Sequence, residues 1–269
     1  MRAVTIILVI IFPIFCFFPD ISYSNTNYEL SGSKDSPILG IGIPLAIGGF
    51  IYDISISPLT MDEINLLNRE DINSCDRFVT YNYSEKASDI SDWLLFSCIA
   101  APFTLLFSSK VQNDAVTVYG IYAESLLYGT SLPFYGKAGA KRVRPYVYNS
   151  EAPLSQKTTA EAKRSFFSGH TAVAFSSMIF LSTVYNTYYP ESRYIPFVWS
   201  GSILLASSVG YFRITAGDHF LTDVLVGAIV GSAVGYLIPR IHKVEDVKGP
   251  LLYPEKMRHQ PLFSIQMAL

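Results

Sequence analysis

The sequence predicts an all-α fold: an integral membrane six-helix bundle, preceded by an N-terminal signal or anchor segment. Three observations predict it. Half of the 269 residues are hydrophobic and only 16% are charged. The mean hydropathy is +0.30. Beyond the leader, six apolar segments come near the roughly 20 residues that a helix needs to cross hydrocarbon. The formal charge of −2 with no long basic run argues against a nucleic-acid partner. Cys16, Cys75 and Cys98 show no paired spacing, so neither a disulfide framework nor a cysteine metal site is expected.

Residues 1–24 place Arg2 before an apolar run that ends near Ser22 and Ser24. That pattern reads as a secretory signal cleaved near Ser24–Asn25, with an uncleaved anchor as the alternative. A polar segment, 25–37, then leads into a transmembrane domain at 38–240, and a polar tail, 241–269, closes the chain. Spans are expected at 38–55, 91–109, 115–135, 168–188, 194–212 and 219–238. Between the first two runs a net acidic stretch in which Met61, Ile64 and Leu67 share one helical face, as in a short helix lying on a membrane surface. Ser91-Asp92 suits the N-cap of the second span. In the third, Glu124 is an ionisable group at membrane depth, where it needs a partner, and a structural hydrogen bond is favoured over a catalytic role. In the sixth, Gly227, Gly231 and Gly235 recur every fourth residue, the spacing of close helix packing within the chain. His242 and His259 fall in the tail and read as solvated surface.

Three polar clusters stand at the ends of these spans. Lys137 and Arg144-Pro145 follow the third, Ser168-Gly169-His170 opens the fourth, and Arg213, His219 and Asp223 join the fifth to the sixth. With spans alternating in direction, all three emerge on one side of the membrane. Lys137, Arg144 and Arg213 supply positive charge, and guanidinium forks match phosphate oxygens two at a time. Ser168 and Gly169 begin a helix whose first N–H groups have no internal partner, a place where anions are favoured. His219 and Asp223, four apart, share a helical face, so the carboxylate can set the ring's tautomer and leave a nucleophilic nitrogen. The second histidine, His170, can give a proton to a leaving oxygen. No carboxylate cluster suited to magnesium stands near these groups, so no metal and no cofactor are expected.

The order K-x6-RP, SGH, R-x5-H-x3-D resembles the type-2 phosphatidic acid phosphatase and vanadium haloperoxidase superfamily over roughly residues 90–240. The resemblance implies that Lys137, Arg144, Ser168, Gly169 and Arg213 hold phosphate. It implies that His219 is the nucleophile forming a phosphohistidine, with Asp223 orienting it and His170 as proton donor. Phe167 and Phe212 stand where that family commonly has proline and serine. The expected activity is metal-independent hydrolysis of a lipid phosphomonoester or pyrophosphate at the membrane interface. Candidate substrates are phosphatidate, phosphatidylglycerol phosphate, undecaprenyl pyrophosphate and lipid A phosphates. A vanadium-dependent haloperoxidase would use the same pocket, and a non-catalytic protein that binds or transports anionic lipid would need only its charges. The family resemblance places the active site on the periplasmic or exterior face of a bacterial inner membrane. A cleaved signal followed by six crossings would place it in the cytoplasm.

Overall fold

The structure is a computed structural model that describes residues 26–244. The signal segment 1–24, its cleavage site, His259 and nearly all of the tail lie outside the described residues. Among the described residues there are six long helices: α1 (Gly32–Ile54), α2 (Glu85–Ala100), α3 (Ala115–Ala140), α4 (Gly169–Tyr188), α5 (Ile195–Thr215) and α6 (Leu221–His242). A 3-10 helix, Ala101–Phe107, prolongs α2. Among the described residues the only β pairing is a single bridge between Tyr28 and Lys243.

Helix α4 is the axis of the bundle, packed by α6, α5, α3 and α2, and α1 lies against α3. The glycine stripe of α6 faces α4. A Cβ at Gly227, Gly231 or Gly235 would stand 2.6, 2.1 or 2.2 Å from the carbonyl oxygens of Ser168, Ala172 and Ser176. The two helices therefore run side by side in the same direction, almost backbone to backbone, and the stripe is intramolecular packing.

The expectation of six apolar spans is met in part: among the described residues, four helices are long and apolar enough to cross a membrane, namely α1, α2 with its 3-10 extension (Glu85–Phe107), α5 and α6. Helices α3 and α4 are the most enclosed by protein. Their serines and threonines return hydrogen bonds to their own backbone, as Ser125 does to Ile121 O, Thr130 to Leu126 O and Ser182 to Met178 O. A helix surrounded by other helices need not be apolar all round, provided its polar groups are satisfied. This is a membrane protein with several apolar helices.

Two further expectations fail locally. Helix α2 begins at Glu85, and Ser84, not Ser91-Asp92, caps it by accepting from Ala87 N. That start, two turns early, turns Ser88, Ser91 and Asp92 toward α5. The short helix Met61–Asn65 has a capping box between Thr60 and Glu63. Its Ile64, with Leu67 beyond it, packs against a cluster of Leu59, Tyr146, Val147, Ala152 and Ala162. That face covers protein, and Lys163 pins it with a 2.7 Å bond to Glu63. Segments 57–84 and 141–167 together form a cap over one end of the bundle.

Candidate active site

The helix directions bring the C-terminal ends of α3 and α5 and the N-terminal ends of α2, α4 and α6 to that capped end. The link between α5 and α6 turns at Gly217, whose φ of +75° is left-handed. A Cβ there would lie 2.2 Å from Asn82 O. Both demands select glycine. The turn is held from outside by Tyr146 N donating to Gly217 O at 2.9 Å and by the Asn82 side chain donating to Ile214 O at 3.0 Å. Asp218 and His219 are thereby fixed between the bundle and the cap.

His219 is 1% exposed. Its Nδ1 lies 2.7 Å from Ser165 O and donates to it, because a carbonyl can only accept. That bond leaves the lone pair on Nε2. The expected direct bond from Asp223 is not formed, since the carboxylate stands 3.8 Å from Nδ1. Asp223 instead accepts from the Ser165 hydroxyl, from Phe220 N at 2.9 Å and from Arg142 at 2.6 Å. It thus holds the residue that holds the ring. Burial pushes the His219 imidazole down to about 4; Asp223 opposes that shift, while the guanidiniums of Arg144 and Arg213 add to it. The ring is neutral at physiological pH.

Arg213 projects from α5 and donates to Ser91 at 3.0 Å and Ser88 at 3.2 Å, and reaches Asp218 at 2.9 Å. Arg144 donates to the other oxygen of Asp218 at 3.1 Å and to Glu161 at 3.2 Å. Asp218 therefore bridges the two arginines. Burial alone would raise its carboxyl, but Arg213 and Arg144 outweigh this and hold it at about 2. Glu161 behaves likewise at about 2, with Arg144, Lys137 and Arg164 overcoming its burial. The Nε atoms of both Arg144 and Arg213 are buried without a hydrogen-bond partner among the described residues. Lys137, 4% exposed on the last turn of α3, belongs to the same charged group.

Ser168 caps α4, its Oγ accepting from the Thr171 hydroxyl at 2.9 Å, and its own N–H reaches Asp223 O at 3.1 Å. Gly169 follows as the first helical residue. His170 Nε2 is 2.7 Å from Asp92 Oδ1, and its Nδ1 is buried without a hydrogen-bond partner among the described residues. Asp92 also approaches Arg213 at 3.4 Å and is half exposed at the rim. All eight expected site residues thus lie at one end of the bundle, where Asp92 joins His170 to Arg213 and Asp218 joins Arg213 to Arg144.

Sequence reasoning missed the carboxylates. Asp92 sits in an apolar run, the signal that singled out Glu124, yet it reads as a helix cap. Asp218 directly precedes His219 and Glu161 lies in the loop, so neither has a periodic signature. Arg142 was also missed: it joins Asp76 at 2.8 Å to Asp223 while stacking 3.9 Å over the Phe220 ring. Asp76 in turn accepts from Thr222 N and Thr222 Oγ1 at the start of α6.

Residues 116–246, which carry every one of the eight positions, match the PAP2 superfamily. That match takes in 131 of the chain's 269 residues, and over them the chain is similar to the superfamily. Over 225 residues it is 22% identical to a probable diacylglycerol pyrophosphate phosphatase 1 of Schizosaccharomyces pombe, covering 74% of this chain and 77% of that one. It is 32% identical over 157 residues to the lipid A 4'-phosphatase of Porphyromonas gingivalis, 56% of this chain and 61% of the relative. It is 30% identical over 126 residues to phospholipid phosphatase 2 of Bos taurus, 43% of this chain and 42% of the relative. Among solved structures it is similar to the transmembrane PAP2 type phosphatidylglycerolphosphate phosphatase of Bacillus subtilis. That likeness has a TM-score of 0.43 at 20% identity, over 73% of this chain and 93% of that one. The chain is a membrane phosphatase of the PAP2 type.

Proposed function

We propose that this phosphatase hydrolyses a lipid phosphate through a phosphohistidine on His219, without a catalytic metal. The observation that carries this reading is the Nδ1–H bond to Ser165 O beside two arginines, which fixes Nε2 as the nucleophilic nitrogen. Lys137, Arg144 and Arg213, with the Ser168 hydroxyl and the Gly169 amide, bind the phosphoryl oxygens. Their charge is set before the substrate arrives, so it stabilises the transition state with little reorganisation. The His219 Nε2–P bond forms as the bond from phosphorus to the lipid oxygen breaks. His170, held by Asp92, gives that oxygen a proton, and its unpartnered Nδ1 is the nitrogen left to face the substrate. Water then attacks phosphorus, His170 takes its proton, and inorganic phosphate leaves with Nε2 restored.

A lipid substrate suits a charged site at the mouth of a bundle of apolar helices, and the named activities of the relatives are on lipids. Phosphatidate, phosphatidylglycerol phosphate, undecaprenyl pyrophosphate and lipid A phosphates share the group this site recognises. We place the site on the periplasmic or exterior face of a bacterial inner membrane. A Ser155→Cys variant, at an exposed position on the short helix Leu154–Lys157, labelled in intact cells by an impermeant maleimide, supports that side; labelling only after lysis overturns it. The activity is tested by offering those four lipids to purified protein in detergent with EDTA. Phosphate release from at least one is expected. No release from any of them, or release only after a divalent metal is restored, contradicts the proposal.

A further inference from the structure

At the other end of the bundle stands a third buried histidine, one that the phosphatase reaction does not use. His242, expected to be solvated, is fully buried on the last turn of α6. Its Nδ1 lies 2.9 Å from Ile238 O and donates to it. Nε2 therefore faces inward, 3.1 Å from Asp35 Oδ1 of α1 and 3.2 Å from Glu124 Oε2 of α3. Glu124 is 2% exposed, and neither of its oxygens has a hydrogen-bond partner among the described residues. Its 3.2 Å approach to Nε2 lacks hydrogen-bonding geometry, since the ring's bond is directed at Asp35.

We propose that Asp35, Glu124 and His242 bind a divalent cation, zinc by the chemistry of the donor set. One imidazole nitrogen and two carboxylates are borderline-soft donors of the kind zinc takes, and a backbone carbonyl on the opposite ring nitrogen is the usual way such a histidine is oriented. The three donor atoms all lie within 4.8 Å of one another. Tetrahedral zinc with bonds of about 2.0–2.1 Å needs donor separations of about 3.3 Å, so the two N–O edges, 3.1 and 3.2 Å, already fit. Charge points the same way. Two carboxylates leave a net negative site even beside an imidazolium, which is costly when buried. A divalent cation with neutral imidazole brings the sum to zero. Asp35, with 18% of its side chain exposed, leaves a way in for the ion and for a water as fourth ligand.

The site would clamp three helices where the C-terminal end of α6 is also tied to the segment before α1, by Glu29 N to His242 O and by Val244 N to Asn27 O, both 3.0 Å. It stands apart from the reaction, because nearly all of α6 separates His242 from Asp223, about 28 Å at the helical rise. The test uses tag-free full-length protein in detergent. Zinc content is measured after dialysis against zinc and then metal-free buffer, and Tm is read with zinc or EDTA. Wild type is expected to hold about one zinc per chain, with a Tm that rises in zinc and falls in EDTA. Glu124→Gln and Asp35→Asn should hold little zinc and show a Tm indifferent to both, with phosphatase turnover retained. Wild type without bound zinc and without a zinc-dependent Tm overturns the proposal, whatever the variants do. So does wild-type zinc content in both variants. A Glu124→Gln protein that is more stable than metal-free wild type, with no zinc held by wild type, would identify the cluster as a protonated carboxyl pair.

Discussion

The two ends of the bundle solve one problem with opposite signs. At each, a buried imidazole donates Nδ1–H to a backbone carbonyl, Ser165 O for His219 and Ile238 O for His242, and so aims Nε2 at its surroundings. Around His219 the surroundings are Arg144 and Arg213; around His242 they are Asp35 and Glu124. The same ring in the same tautomer is thereby suited to an anion at one end and to a cation at the other. What a buried histidine does is decided by the charges that three or four other elements bring to it.

The contrast can be broken from either end. Replacing His219 with alanine should have the largest effect, lowering phosphate release by about six orders of magnitude, the scale of losing a covalent nucleophile. The readout is turnover in detergent, with helical content unchanged by circular dichroism. Arg213→Gln comes next, with kcat/KM falling by about 10²–10³-fold. The same change removes one of the charges that hold the His219 imidazole down near 4. In wild type the ring is protonated, and activity lost, only as pH falls toward that value. In the variant the acid limb of the pH profile should move upward, toward the ordinary histidine range. An unshifted limb would show that Arg213 does not act on His219.

Asp92→Asn is smaller, about 10–100-fold in kcat, since it removes the charge from one hydrogen bond to His170 while keeping its shape. A change in KM alone would contradict a role at the leaving oxygen. Smallest is Glu124→Gln, which should leave turnover within about twofold because the charged end of the bundle is a helix length away. A large loss of turnover there would mean that the two ends are coupled.

Much of this was legible in the chain. The apolar runs and their alternation place Lys137, Arg144, Ser168 and His219 at one end, because a span fixes where its two ends must be. The glycine spacing of α6 likewise shows where backbones touch. Interior helices were harder. Apolar periodicity reports contact with lipid or core, and α3 and α4 lie among other helices, so they read as spans although their polar residues set them apart. The counter-charges were hardest, since Asp92, Asp218, Glu161 and Arg142 are defined by partners up to 130 residues away. His242 illustrates the same limit. A histidine beside a polar tail looks solvated until α1, which begins two hundred residues earlier, is laid over it.

The central claim is that Nε2 of His219 carries the phosphoryl group. Rapid quenching of the enzyme with lipid phosphate into alkali, followed by peptide mass spectrometry, tests it most directly. A base-stable, acid-labile phosphate on the peptide bearing His219, at Nε2 by NMR and absent from His219→Ala, is the predicted result. A wild-type enzyme that turns over fully while His219 is never labelled, or a label on another residue, would contradict it.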